Sequence, residues 1–403
     1  MLLPYASDFI PNRRPYMTLA LIVVMFLLTL LVMENSRLHY AWAGSQMLSE
    51  YGIAPNRFQP FTLLTYSFFH DGYGHLLGNC FYLWVFGTAV EAAVGGWRYL
   101  ALFLMGGIVG GLLQWLVCAT MLNAESNAIV GASAGCAALV GLFAVRYYRS
   151  RLNFIGLPFR PHVVSVVGLF LAWEIGSALY YLLNGATANG IANWAHIGGF
   201  VFGLGVAYLL KLDTQGRSAY LAGDAARAMS ASQPGTAIKR WELLLSREPN
   251  NTLAMNELAK AWALLGDTEQ ASLWFLQAIQ IDLQRGKREQ AALACGEMFS
   301  AGLRETEHKG KNLFLSAQQL FTLGSALEEM ERFEQAGEAL RFVMTKFPNV
   351  PEAEPAMVKV IQLYVERLNR HDEARVFLHL FYQRYPRSQW KGLVDGFQKK
   401  LDG

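Results

Sequence analysis

Two polar residues within apolar stretches are the strongest candidates for chemistry in this chain. Ser133 lies in Gly-Ala-Ser-Ala-Gly at 131–135, and His196 lies in Asn-Trp-Ala-His-Ile-Gly-Gly at 193–199. A serine hydroxyl is a weak nucleophile until a neighbouring base such as histidine removes its proton. If the fold brings the two side chains together, the pair predicts hydrolysis through an acyl-enzyme on Ser133, with His196 as the base.

Each of these residues also has a structural explanation. Segment 131–135 matches the elbow of soluble hydrolases, but that elbow follows a strand, which this sequence does not predict. Its small residues equally suit close packing between membrane helices. His196 could be hydrogen-bonded for structure alone, although an ionisable side chain inside a membrane span is costly and favours a functional role.

A second polar pair lies earlier in the chain, at His75 and Asn79. The two residues are four apart and therefore share one face of a predicted helix. They are candidate donors to a developing oxyanion, together with backbone N–H groups at the start of the helix that carries Ser133. The alternative is that both side chains face water at the membrane interface.

The spacing predicts no acidic partner for His196. Glu91 and Glu174 are the acidic residues closest to the interiors of apolar runs. Neither is expected beside the histidine, and Glu91 is expected at the opposite, cytoplasmic end of its run. Because the acid of a catalytic triad mainly orients the imidazole and supports its charge, a well-packed ring can act without one. We therefore predict a two-residue site.

Apolar runs dominate the first half of the chain and must position these residues. Six of them are long enough to cross about 30 Å of hydrocarbon. They cover residues 16–33, 74–92, 97–121, 131–148, 162–183 and 191–210.

The distribution of positive charge in the loops predicts the orientation of these spans. Lys and Arg occur before the first run, in the fourth loop and after the last run, but not in the third and fifth loops. This bias predicts that both termini are cytoplasmic. The second, fourth and sixth helices then begin on the outer side, which places Ser133, His196 and the 75–79 pair at similar depth. Gly131, Gly199 and Gly203 are expected to allow close helix packing at this site.

Residues 212–403 have a different composition, with charged and apolar residues alternating at helical spacing. Ala237 and Ala271 are 34 residues apart, the length of a tetratricopeptide (TPR) unit. Similar alanine and aromatic positions recur at Ala336, Ala339 and Ala374. The fold class is therefore predicted to be all-α, with a six-helix membrane bundle in residues 1–211 and a cytoplasmic TPR-like domain in residues 212–403. An ordinary helical bundle is the alternative for the second domain.

Overall composition narrows the function classes. The hydrophobic fraction is 53%, and the net charge of +3 is too small to indicate nucleic-acid binding. The four cysteines form no CxxC pair, so we expect no zinc site and no disulfide framework.

Taken together, the motifs resemble the signature of the rhomboid family of intramembrane serine proteases. That resemblance implies that Ser133 and His196 form a dyad, that His75 and Asn79 line the oxyanion site, and that no metal or cofactor takes part. It also implies substrates that are membrane-anchored proteins, cleaved in or near their transmembrane segments. The residues that carry it are Phe69-His70, 75–79, Phe86-Gly87, Glu91, 131–134, 195–200 and Gly203.

One departure and one alternative accompany this resemblance. Many rhomboids have a Trp-Arg pair in the first loop where this chain has Gln59-Pro60-Phe61-Thr62, so the loop is expected to be held differently. The alternative function is a non-catalytic membrane protein that binds transmembrane helices and recruits partners, or a second copy of itself, through its repeats. For the enzyme, the loop at 184–190 and the helix before it are expected to move to admit substrate from the lipid. The protein is expected in a bacterial cell or inner membrane.

Overall fold

Helices form at all six positions where the sequence predicts membrane spans. The computed structural model describes residues 4–7, 14–38, 41–54, 56–121, 128–154, 156–184, 192–303 and 314–402. The second predicted span is made of α4, a π-helical turn at Leu83–Gly87 and α5. The apolar helices are α1 (Tyr16–Leu38), α4 (Tyr73–Tyr82), α5 (Thr88–Val94), α6 (Gly96–Thr120), α7 (Ser133–Arg146), α8 (Val163–Asn184) and α9 (Asn193–Leu209).

Not all of these helices are long enough to cross a membrane by themselves. Among the described residues, four helical segments are long and apolar enough to cross a membrane, at Tyr16–Glu34, Tyr73–Val94, Gly96–Thr120 and Val163–Asn184. A fifth is reached if α9 and the following helix α10 (Leu212–Ser230), which meet at a 67° bend, are counted together. Helix α7 has only 14 residues. The apolar helices indicate that the chain is a membrane protein. The number of six membrane spans stays a prediction.

Short elements in the connections show which helix ends share a side of the bundle. Strand β1 (Pro4–Ser7) precedes α1 and pairs antiparallel with strand β2 (Leu152–Phe154), which follows α7. On the opposite side, Ile53 in the first loop bridges to Ile129, a few residues before α7. This agrees with alternating passage of the helices. Which side faces the cytoplasm stays a prediction.

The first loop contains two short helices, α2 (Ala41–Tyr51) and α3 (Thr62–Thr65), followed by a 3₁₀ turn at Tyr66–Phe68. It is anchored by Tyr66, which is buried and donates a hydrogen bond from its hydroxyl to the carbonyl of Gly107 over 2.6 Å. A stacked pair of rings, Tyr51 on Phe69, adds a second anchor. These contacts hold the loop in a chain that lacks the Trp-Arg pair.

Helices α7 and α9 pack so closely that side chains are excluded at their crossing. A Cβ atom on Gly199 would lie 2.1 Å from the carbonyl oxygen of Ala134, and one on Gly203 would lie 2.0 Å from that of Ala138. Both distances are far below van der Waals contact, so only glycine fits. Such close approach provides packing energy between membrane helices, where no hydrophobic driving force acts.

The start of α1 is fixed to the second span by a buried carboxylate. Glu91 on α5 accepts hydrogen bonds from the backbone N–H groups of Met17 and Thr18, at 3.0 and 2.8 Å. The Thr18 hydroxyl donates a third bond over 2.7 Å. The first N–H groups of a helix have no partner within it, so the carboxylate satisfies groups that would otherwise be buried without one.

The chain divides into two units, Met1–Arg217 and Ser218–Gly403, a few residues beyond the division predicted at residue 211. Within the described part of the second unit, successive helices pack on one another along the sequence. Several begin with capping side chains, including Asn251, Asp267 and a capping box at Ser316. The helices are α11 (Pro234–Leu245), α12 (Thr252–Leu264), α13 (Thr268–Gln284), α14 (Arg288–Ser300), α15 (Ala317–Glu329), α16 (Phe333–Lys346), α17 (Ala353–Glu366), α18 (His371–Arg384) and α19 (Lys391–Asp402).

Small residues at the predicted repeat positions are buried between these helices. Ala237, Ala271, Ala336, Ala339 and Ala374 are all fully buried. Alanine at such positions lets paired helices approach while larger side chains fill the space around them. The unit is helical throughout its described elements, and its assignment to the TPR class stays a prediction.

Candidate active site

Helix α7 begins at Ser133, and the residue two positions earlier allows that geometry. Gly131 has φ = +122°, a conformation that residues with a side chain rarely adopt. Its N–H donates to the carbonyl of Tyr66 over 2.9 Å. A Cβ on Gly131 would also lie 2.6 Å from Nε2 of His75. Glycine is therefore required here both for the backbone and for the space beside His75.

The structure brings Ser133 and His196 into contact. His196 lies in the first turn of α9, and its Nε2 is 2.7 Å from the Ser133 hydroxyl oxygen. The glycine-mediated crossing of α7 and α9 brings the two helix starts together. A hydrogen bond of this length between nucleophile and base is the geometry that serine activation requires.

A cavity of about 270 Å³ opens beside this pair. Polar groups contributed by α4, α7, α8 and α9 face a mainly apolar wall, as in most sites that bind organic ligands. Among the described residues, no group of three His, Cys, Asp or Glu side chains could hold a metal ion. The cavity is lined by Gly74, His75, Gly78, Asn79, Tyr82, Val130, Ser133, Cys136, Ala137, Val140, Phe170, Glu174, Ala192 and His196.

His75 lines this cavity and is oriented by Asp71, which sequence analysis did not single out. Nδ1 of His75 is 2.8 Å from Oδ1 of Asp71. This hydrogen bond lowers the pKa of Asp71, so its carboxylate is an acceptor and Nδ1 of His75 donates. In a neutral ring, Nε2 is then unprotonated. His75 can therefore donate to an oxyanion from Nε2 only as an imidazolium.

Asn79 is oriented by a buried histidine, His70. The Asn79 amide nitrogen and the backbone nitrogen of Ala132 lie 3.0 and 3.5 Å from Nε2 of His70. Both are N–H donors, so Nε2 accepts and the proton is on Nδ1, which faces the Thr29 hydroxyl. Burial lowers the pKa of His70 to about 3, with positive charge on His75 as the second cause. His70 is therefore neutral and fixes the Asn79 amide.

An acidic side chain does lie beside His196, contrary to the sequence-based expectation. Oε2 of Glu174, on α8, is 3.0 Å from Nδ1 of His196. The Asn193 amide donates to the same oxygen over 2.7 Å. Nδ1 has no hydrogen bond of good geometry, so its contact with Glu174 is a close approach at an unfavourable angle. One signal was available in the sequence: Glu174 is the only Asp, Glu, Lys or Arg within residues 162–183.

The proposed mobile loop at 184–190 lies outside the described residues, apart from Asn184 at the end of α8. All of the candidate residues on α4, α7 and α9 are within the described part. Ser133, His196, His75 and Asn79 converge on one cavity, and Gly131, Gly199 and Gly203 lie at the close contacts around it.

Comparison with known proteins points to the same family as the sequence motifs. Residues 57–212 match the model of the Rhomboid domain. Rhomboid-related protein 1 of Caenorhabditis elegans is 30% identical over 146 residues, which are 36% of this chain and 38% of that protein. Rhomboid protease GluP of Bacillus subtilis (strain 168) is 26% identical over 209 residues, which are 51% of this chain and 37% of that protein.

A third relative is the mitochondrial presenilin-associated rhomboid-like protein of Rattus norvegicus, 26% identical over 151 residues, which are 36% of each chain. The chain thus spans well under half the length of these relatives. They come from animals and a bacterium, so the expected bacterial location stays a prediction. The domain match and the relatives support the rhomboid family for residues 57–212 of this membrane protein.

Proposed function

We propose that this protein is an intramembrane serine endopeptidase that cleaves membrane-anchored proteins in or near their transmembrane segments. The observation that carries the proposal is the 2.7 Å contact between His196 Nε2 and the Ser133 hydroxyl, inside a cavity lined by candidate oxyanion donors. The similarity to GluP, whose name describes a protease, supports the same conclusion.

The reaction follows from the positions of these groups. The Ser133 oxygen attacks the scissile carbonyl, and its proton passes to Nε2 of His196. The oxyanion that forms is stabilised by Asn79, by His75 as an imidazolium, and by backbone N–H groups at the start of α7. The imidazolium then returns the proton to the leaving amine. Water, activated by the same base, hydrolyses the acyl-enzyme and restores Ser133.

The cavity also constrains the substrate. A peptide carbonyl inside a helix accepts a hydrogen bond from four residues further along, so the segment must unwind before Ser133 can attack. Segments with small or helix-breaking residues near the outer end of a span are therefore favoured. Because α8 exposes most of its surface, with Trp173 71% exposed, we propose that such a segment enters beside α8 from the lipid.

The second candidate function is a non-catalytic protein that binds transmembrane helices and recruits partners through residues 212–403. It would use the same cavity, but it would not need an activated Ser133. The contact between Ser133 and His196 therefore favours the enzyme. Under either candidate function, the helical second unit could bind protein partners or a second copy of itself.

A serine-reactive fluorophosphonate probe tests the proposal in native membranes. The intact chain should be labelled, and Ser133→Ala should remove the label because only an activated serine reacts at a useful rate. Cys136→Ala, which changes another cavity residue without touching the pair, is the matched control and should still be labelled. No labelling of the folded wild-type protein would favour the binding protein.

A further inference from the structure

We propose that Glu174 is a positioning residue for His196, so that the working unit is Ser133, His196 and Glu174 rather than a pair. The inference rests on the proposed function, because it assigns a role within the same reaction. Its carboxylate selects the imidazole tautomer in which Nδ1 holds the proton and Nε2 is free to accept one. It then stabilises the imidazolium that forms when Ser133 is deprotonated.

The burial of Glu174 is the first observation. The buried positions of α8 are Val163, Val167, Glu174 and Ala178, and they form the stripe that packs on the rest of the unit. Glu174 is only 5% exposed. A carboxylate in such a position costs free energy unless its charge is compensated, and an apolar residue would pack as well. The acid therefore needs an explanation other than packing.

Two groups on α9 provide the compensation. Asn193 and His196 are three residues apart and present their side chains on one face of α9. Oε2 of Glu174 lies 2.7 Å from the Asn193 amide nitrogen and 3.0 Å from Nδ1 of His196. Asn193, itself 2% exposed, fixes the carboxylate by donating to it.

The proton positions in the proposed reaction give the carboxylate its role. Nε2 faces the Ser133 hydroxyl and must accept its proton, so Nδ1 must hold the ring proton and point to an acceptor. Among the charged groups of the described residues, only Glu174 has an oxygen within 4 Å of Nδ1. The Nδ1 contact is not aligned in this structure. Hydrogen bonds of this kind commonly tighten only when substrate is bound.

The arrangement ties the catalytic base to α8. The main packing partner of α8 is α9. Glu174 makes a polar contact between these two helices through its hydrogen bond with Asn193. A displacement of α8 that admits substrate would separate Glu174 from His196. The base would be fully supported only after α8 returns, so productive chemistry would be coupled to closure over the substrate.

The test uses the full-length protein in proteoliposomes, with kcat and KM measured on a single-span substrate and the rate of fluorophosphonate labelling measured in parallel. Glu174→Gln should lower kcat and the labelling rate by about 10²-fold, with KM changed less than about twofold. Glu174→Asp should keep an intermediate rate. Glu91→Gln is the matched control, a second buried glutamate outside the cavity, and should keep kcat while lowering the melting temperature.

Chemical rescue separates positioning from a purely structural role. In Glu174→Ala, the space left beside His196 opens to the cavity, so formate should restore the rate by about tenfold while neutral formamide should not. Retention of kcat within about threefold in Glu174→Gln would overturn the assignment, and so would equal effects of formate and formamide. If the wild type is labelled at Ser133 but Glu174 variants match it, only this inference fails. If the wild type is never labelled, the proposed function fails with it.

Discussion

Two buried glutamates in the first unit have different surroundings. At the junction of α1 and α5, Glu91 accepts three aligned hydrogen bonds, all from Met17 and Thr18. At the junction of α8 and α9, Glu174 accepts one aligned bond from an amide and lies 3.0 Å from the imidazole of His196. Because its partners are fixed N–H and hydroxyl groups, Glu91 holds α1 and α5 together. Because Glu174 faces the imidazole of His196 beside the nucleophile, it can stabilise positive charge when a proton moves to that ring.

This difference predicts that changes near Ser133 lower the reaction rate and that changes near Glu91 lower the stability of the fold. Apart from Ser133 and His196 themselves, the largest effect is expected at the oxyanion donors. Asn79→Ala should lower kcat by about 10²–10³ without preventing acylation, because it removes a donor aimed at charge that develops in the transition state. His75→Ala should lower kcat over the same range. Wild-type turnover in both variants would remove them from the site.

The next effect concerns the crossing of α7 and α9. Gly199→Ala would place a methyl group 2.1 Å from the Ala134 carbonyl oxygen, so the helices must separate. We expect about a 10²-fold loss of kcat, since a displacement of about 1 Å at the reacting groups is enough for that. Gly205→Ala is the control, because a Cβ there has no neighbour within 4 Å. Equal activity in the two variants would show that the close crossing does not position the pair.

At the Glu91 junction the expected loss is in stability. Thr18→Val removes the hydroxyl that donates to Glu91 and leaves its two backbone donors in place. The free energy of unfolding should fall by about 1–3 kcal/mol, the usual cost of a lost buried hydrogen bond. Turnover at a temperature where the variant is folded should stay within about twofold of wild type. A loss of kcat in Thr18→Val without a loss of stability would contradict a purely structural role for the Glu91 junction.

A separate effect, on stability alone, is its dependence on pH at His70. Its pKa is lowered from 6.5 to about 3 in the folded protein, so between these values the unfolded chain binds more protons. Its contribution to stability is therefore present above pH 6.5 and is lost as the pH falls toward 3. His70→Gln should flatten the fall in melting temperature between pH 7 and 4. His162→Gln, the same substitution at an exposed histidine, is the matched control.

Close packing of α9 on a neighbouring helix could be predicted from the sequence because Gly199 and Gly203 are four residues apart, a spacing that favours close helix packing in membranes. The spacing did not identify the neighbour, which the structure shows to be α7. Glu174 could not be paired with His196 in this way, because the two lie on different helices and their distance depends on how α8 packs. The π turn at Leu83–Gly87 was missed for a similar reason, since its residues are equally suited to a regular α-helix.

The most direct test of the account is cleavage of a single-span substrate in proteoliposomes that contain the full-length wild type, Ser133→Ala or His196→Ala. Mass spectrometry of the products would locate the cut. The wild type should cleave within or beside the transmembrane segment, and both variants should lose cleavage while keeping wild-type insertion and melting behaviour, because an unactivated serine does not attack a peptide bond at a useful rate. Cleavage by either variant within about tenfold of the wild-type rate would contradict the central claim.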